Sequence, residues 1–124
     1  MTAFAPRPVG RWTYLVAASF ALLVSGLVAC GDVEPLDFSE IPSGALVVDQ
    51  DDLKFLPSDL TVSVGEAVYF TNSERAPHTV TVEGDNVSGH MVRGDAFVWT
   101  FDTAGEYRVT CDYHPKMRAT VTVE

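Results

Sequence analysis

Residues 45–124 predict an all-β domain, and three observations carry that expectation. The apolar residues fall in short runs rich in Val, Thr and aromatic side chains. Almost every run is bounded by Gly, Pro, Asp or Asn, and no stretch repeats its apolar residues at helical spacing. Eight such runs within these 80 residues favour a β-sandwich or a Greek-key barrel.

The first 29 residues do not belong to that pattern. Arg7 and Arg11 are the only charges before position 32, and residues 12–29 form an uncharged, mainly apolar run. A positive start followed by an apolar run predicts a targeting segment that sends the chain out of the cytoplasm. The run closes on Leu27, Val28, Ala29 and Cys30, and small residues directly before a Cys resemble the lipobox of bacterial lipoproteins. The resemblance implies cleavage before Cys30 and a lipid on its sulfur. An uncleaved transmembrane helix is the alternative, since eighteen residues approach the roughly 20 needed to span a bilayer. Either way the domain is expected to be tethered outside the cytoplasm, in the periplasm or on the outer face of the cell membrane.

Residues 30–44 follow as the lipidated Cys and an acidic linker with two prolines and little periodicity. As a flexible coil, its fourteen residues from 31 to 44 would span roughly 20 Å. The predicted strands are then 46–49, 54–56, 60–64, 67–71, 78–83, 97–101, 106–111 and 117–123, with turns at Val64-Gly65-Glu66 and Ala104-Gly105.

Side chains alternate between the two faces of a strand. Counting along 106–111 puts Tyr107, Val109 and Cys111 on one face; along 117–123, Met117, Ala119, Val121 and Val123 share a face; along 78–83, His78 falls with Val80 and Val82. Three potential metal donors therefore point inward at strand ends, while His114 lies in the turn between the last two strands, placed to close the site from its rim.

The balance of charge excludes some partners. Beyond residue 29 the chain has six Lys and Arg against seventeen Asp and Glu, a net charge of −11. Such an acidic surface argues against nucleic acid and suits a solvated exterior or a basic protein partner. Only two cysteines exist, and if Cys30 is lipidated then Cys111 has no disulfide partner in an oxidising compartment. A thiol in that position must be buried or ligated.

Cys111-x-x-His114-x-x-Met117 in a loop between two strands, with His78 on an earlier strand, assembles two imidazoles, a thiolate and a thioether. That is the donor set of a type 1 copper site, a His2Cys plane with a weak axial Met. Thiolate and thioether favour Cu(I), imidazole suits both oxidation states, and a compromise geometry lets the ion change charge with little rearrangement. Over residues 45–124 the chain resembles the cupredoxins of the plastocyanin and amicyanin type. The likeness rests on Phe55-Leu56-Pro57, Val64-Gly65-Glu66-Ala67-Val68, Phe70-Thr71-Asn72, Pro77-His78-Thr79-Val80, Phe97-Val98-Trp99-Thr100-Phe101, Gly105-Glu106-Tyr107 and the 111–117 loop.

The resemblance implies an eight-stranded Greek-key sandwich holding one copper ion on His78, Cys111, His114 and Met117, with the His114 edge as the electron port behind a mostly apolar patch. It also implies a monomeric carrier rather than an enzyme, working between a donor and an acceptor redox protein such as a cytochrome or a membrane oxidoreductase. Three histidines in the whole chain cannot build a further catalytic copper site beside this one. A copper-trafficking or storage lipoprotein and a metal-free immunoglobulin-like interaction domain are the alternatives.

Two positions depart from the family pattern. Thr79 stands where Asn is usual, which questions how rigidly the ligand loops are tied. Tyr113 stands where Pro is usual, and its restored N–H is expected to give the Cys111 thiolate a second hydrogen bond. His90-Met91 reads as an exposed loop pair, with accessory metal acquisition as the alternative. Asp49, Asp51 and Asp52 read as a solvated acidic turn, since neither EF-hand spacing nor its Gly follows. Arg75, Lys116 and Arg118 lie near the loop ends, where they either shape docking or simply solubilise the domain.

Overall fold

The computed structural model describes residues 35–124; the predicted targeting segment, Cys30 and the start of the predicted linker lie outside the described residues. Ten strands run in order as β1 (Leu36–Asp37), β2 (Leu46–Asp51), β3 (Lys54–Leu56), β4 (Asp59–Val62), β5 (Ala67–Asn72), β6 (Thr81–Val82), β7 (Asp85–Asn86), β8 (Asp95–Thr100), β9 (Gly105–Thr110) and β10 (Arg118–Val123). They form two five-stranded sheets ordered β1-β8-β5-β2-β3 and β4-β10-β9-β6-β7. The pairs β2–β5 and β4–β10 are parallel and the remainder antiparallel. Every predicted strand has a counterpart among these, and β1 and β7, two residues each, are additional.

Alternation places the core where the strands predict it. In β10, Ala119, Val121 and Val123 are buried between exposed or half-buried neighbours, and in β9 Val109 is buried with Cys111 just beyond it. Val48 of β2, Phe55 of β3, and Val68 and Phe70 of β5 complete one side of the core, Phe55 meeting Phe70 edge to face at 6.5 Å between ring centroids. Both sheets thus present apolar faces to each other, the layered solution expected of half-buried strands.

Two expectations change. Residues 36–40, read as part of a flexible linker, are ordered: Leu36 and Asp37 pair with Ala96 and Asp95, and a 3-10 turn over Phe38–Glu40 follows. Asp37-Phe38-Ser39-Glu40 is a capping box, the Asp37 carboxylate accepting from the Ser39 N–H and the Glu40 carboxylate from the Asp37 N–H, each at 2.8 Å. The hydrogen bonds from Ser39 hold the Asp37 carboxyl below its ordinary range. Residues 36–40 therefore belong to the folded domain.

The second change concerns residues 78–83, of which only Thr81–Val82 is strand. His78 is held by an isolated two-way bridge to Met91, its N–H donating to the Met91 carbonyl at 3.0 Å and its carbonyl accepting at 2.9 Å. Alternation does not sort this segment, because Thr79 and Thr81 are as buried as His78, Val80 and Val82. The chain after Cys111 covers that second face, with Asp112 bonded to both threonines.

Candidate metal centre

Strand polarity gathers the site at one end of the sandwich. β5 ends at Asn72, β9 at Thr110, and β10 begins at Arg118 opposite Thr110. The loops leaving these ends therefore carry His78 and the 111–117 turn to the same place. Asn72 secures the first loop: its fully buried amide donates to the carbonyls of Ala76 at 2.9 Å and Met91 at 3.1 Å. Met117 N–H closes the second loop on the His114 carbonyl at 2.9 Å.

Three donor atoms converge there. Cys111 Sγ lies 3.7 Å from His78 Nδ1 and 3.7 Å from His114 Nδ1, and the two nitrogens are 3.2 Å apart. The triangle has the dimensions of a metal site. Bonds of about 2.0–2.1 Å to nitrogen and about 2.3 Å to sulfur, opened to about 120°, separate N from S by about 3.8 Å. The observed edges match that spacing, and the shorter N–N edge corresponds to an angle of about 100° between the imidazoles. Among the described residues this is the one group of three or more His, Cys, Asp or Glu ligand atoms close enough to share an ion. Thiolate, two imidazoles and a trigonal spacing are the chemistry of type 1 copper.

Burial grades the donors. Cys111 and His78 are buried, His114 is half-buried, and Met117 is 1% exposed beneath the same loop. Among the described residues Cys111 is in no disulfide, which leaves its sulfur available as a ligand. The Thr79 N–H donates to that sulfur at 3.4 Å. The second bond expected from the Tyr113 N–H is not among the hydrogen bonds of the described residues; Tyr113 instead bonds His90 Nδ1 through its phenol oxygen at 2.9 Å. The loop turns Tyr113 outward, leaving it half exposed. The doubt raised by Thr79 in place of Asn is answered by its hydroxyl, which accepts from the Asp112 N–H at 2.8 Å and so joins the two ligand segments.

One functional residue escapes sequence inspection. His78 Nε2 lies 2.5 Å from Glu74 Oε1, with the imidazole fully buried and the carboxylate mostly so. Because Nδ1 faces the other donors, Nε2 carries the proton and donates to Glu74, which fixes tautomer and ring orientation. The same carboxylate oxygen accepts from the Leu53 N–H at 3.0 Å. The spacing Glu74-x-x-x-His78 in a non-helical loop announces none of this. Removing such an outer partner typically weakens metal binding about 10–100-fold. Glu74→Ala is expected to lose copper affinity in that range in a chelator competition, with circular dichroism unchanged.

Leu53 owes its place to the turn joining β2 and β3. Asp52 and Leu53 both have positive φ, 52° and 55°, closing the strands with two residues, neither of them Gly. A Leu in this region is uncommon and costs on the order of 1 kcal/mol. The conformation sets Leu53, half exposed, beside Tyr113, His114, Pro115, Lys116 and Met117 around one surface depression. The neighbouring acidic side chains are engaged locally: Asp52 pairs with Lys54 at 2.6 Å, whose bond holds that carboxyl below its ordinary range, and Asp49 accepts from Thr71 and Ser73.

The His90-Met91 pair divides. His90 is exposed, as expected, but Met91 is 1% exposed inside the hydrophobic core, where the fully buried Gln50 donates to its sulfur at 3.5 Å. The bridge to His78 pulls Met91 inward, so the two residues do not form an outward donor pair.

Known proteins agree with this geometry. Residues 42–124 match the family model described as copper binding proteins, plastocyanin/azurin family. The chain is 37% identical over 97 residues to amicyanin of Paracoccus versutus, covering 73% of this chain and 74% of that protein. It is 33% identical over 115 residues to amicyanin-alpha of Methylorubrum extorquens, covering 87% and 94% respectively. The crystal structure of the Paracoccus versutus amicyanin superposes with a TM-score of 0.69 at 34% identity, covering 73% of this chain and 92% of that one. With the fold, the match over residues 42–124 and the His78–Cys111–His114 triangle in agreement, the chain belongs to the plastocyanin/azurin family of copper binding proteins and carries the site for one type 1 copper ion.

Proposed function

We propose that the protein is an electron carrier tethered to the outer side of a membrane through Cys30, passing single electrons between extracytoplasmic redox partners. The observation that carries this reading is the closed His78–Cys111–His114 triangle, buried on two sides and reaching the surface only through His114. Bound copper supplies a one-electron couple. The chain holds His78, Cys111 and His114 in an arrangement that changes little with charge, and Met117, buried under the same loop, would serve as the weak axial ligand. Burial keeps water from the centre and lowers the reorganisation that each transfer requires.

The exposed edge of His114 is the port. It lies in the depression lined by Leu53, Tyr113, Pro115, Lys116 and Met117, an apolar contact surface for a partner's redox group. Charge supports the same orientation. Of the six Lys and Arg among the described residues, Lys54, Arg75, Arg93, Lys116 and Arg118 occupy loops or strand ends on the copper side, and only Arg108 lies mid-strand. The opposite turns carry Glu66, Asp102, Glu106 and Glu124. The copper end also bears Asp51, Asp52, Glu74, Asp95 and Asp112, so its charge is mixed where the opposite turns are acidic, and a redox partner with carboxylates around its contact site is repelled less at His114 than at the acidic body.

The trafficking alternative drew on an accessible Met–His pair, and Met91 is buried. The copper-loaded protein is expected to bleach on one electron equivalent and recover its colour on reoxidation, retaining the metal against a Cu(I) chelator. Release of copper on each reduction would favour delivery over electron transfer.

A further inference from the structure

A ring of hydrogen bonds beside Cys111 begins and ends on Asp112. The Asp112 N–H donates to Thr79 Oγ1 at 2.8 Å, Thr79 Oγ1 lies 3.1 Å from Thr81 Oγ1, and the Thr81 hydroxyl donates to Asp112 Oδ1 at 2.7 Å. The middle link has only one possible direction. A hydroxyl has a single proton, and that of Thr81 is committed to the carboxylate, so the Thr79 hydroxyl must donate to Thr81. The chain of donors is therefore Asp112 N–H to Thr79, Thr79 to Thr81, and Thr81 back to the Asp112 carboxylate. Each bond polarises the next, and a ring of this kind holds more firmly than its separate links.

Both carboxylate oxygens act as acceptors, Oδ1 from Thr81 and Oδ2 from the Asn86 amide at 2.9 Å. That is the behaviour of the ionised, acceptor-only form. Thr79 and Thr81 are buried, at 0% and 3% exposure, so two of the ring's three members are shielded from water. The Thr79 N–H on the Cys111 sulfur couples the ring to the ligand.

We propose that Asp112 is a positioning residue with a second, electrostatic effect. It fixes the Cys111 segment against the His78 segment through Thr79 and Thr81, and its fixed negative charge next to the thiolate favours the more positive Cu(II) form. The electron enters as Cu(II) plus one electron gives Cu(I), lowering the charge of the site by one unit. A neighbouring anion opposes that change, which lowers the reduction potential. This inference rests on the electron-carrier reading for its electrostatic half, while the ring itself is independent of copper.

Two variants separate charge from structure. Asp112→Asn removes the charge and keeps an oxygen for Thr81 to bond while giving up only the acceptor for the exposed Asn86 amide, whereas Thr81→Val breaks the ring and keeps the charge. In voltammetry of the copper-loaded protein, Asp112→Asn is expected to shift the equilibrium towards Cu(I) about tenfold, equivalent to about 59 mV for one electron. Thr81→Val is expected to stay within about twofold of the parent. An unchanged potential in Asp112→Asn, or an equal shift in Thr81→Val, would overturn the charge effect.

Amide hydrogen exchange on the metal-free protein reads the ring directly. Exchange at the Asp112 amide is expected to rise about tenfold or more in Thr79→Val, with core amides such as that of Val109 unchanged. Equal protection in Thr79→Val would overturn the ring. A parent protein that binds no copper but shows the expected exchange would defeat the carrier reading and leave the ring standing.

Discussion

Cys111→Ser is expected to abolish the intense blue thiolate-to-copper absorption while leaving the fold in place. Serine is nearly the same shape as cysteine, and the site lies at the end of β9 rather than in its ladder, so packing changes little. The chemistry changes completely. A hydroxyl does not ionise near neutral pH and is a harder donor than a thiolate, so both the charge-transfer band and the preference for Cu(I) are lost. The loss of affinity should exceed the 10–100-fold typical of an outer partner such as Glu74. Absorption of the Cu(II)-loaded variant, with circular dichroism as the control for folding, makes the measurement. An intense blue band surviving in Cys111→Ser would remove the assignment of the sulfur.

Phe70→Ala is expected to destabilise the metal-free domain by about 3–5 kcal/mol. Phe70 is completely buried at the centre of β5, between Phe97 on β8 and Val48 on β2 in register, and meets Phe55 edge to face. A cavity there lies between two sheets whose strands cannot close over it independently. Total stabilities of small domains run to only about 5–15 kcal/mol, so the variant should be marginal without metal. Copper bound to the folded state adds stability by mass action, about 4.1 kcal/mol when free ligand is about 1,000 times its dissociation constant. Urea unfolding with and without copper should therefore show the variant rescued by the ion, and a loss below about 1 kcal/mol would contradict the packing argument.

The donors and the core were legible in the sequence for different reasons. Cys111, His114 and Met117 are close in the chain, so their loop declares itself by spacing. The buried face of β10 declares itself by period two in Ala119, Val121 and Val123. His78 was placed inward by the same count, yet its burial arises from a bridge to Met91 in a segment where both faces are covered. Met91 shows the opposite case: its place beside His90 in a loop between strands suggested exposure, and the bridge to His78 buried it.

Short elements were the least legible. A strand of two residues, such as β1, has no alternation to read, and the capping box from Asp37 to Glu40 that follows it went unread in a segment taken for linker. The hydrogen bonds that tie the site together were equally hidden. Glu74, Thr79, Thr81 and Asp112 are polar residues of ordinary spacing; the roles of the two threonines and Asp112 appear only when segments 31–33 residues apart are brought side by side, and that of Glu74 only when its loop folds back on His78.

The sequence already specifies what the protein can bind, because metal chemistry depends on which donor atoms are present and two of them, with the thioether, are grouped in seven consecutive residues. It also determined the sheet class and the faces of its longer strands, which follow from periodicity within each segment. The orientation of the donors, the carboxylate that holds His78, the hydroxyls that replace the usual Asn and the donor withdrawn into the core emerge from the folded chain alone. Those properties depend on contacts between distant segments, and contacts of that kind leave no period in the chain.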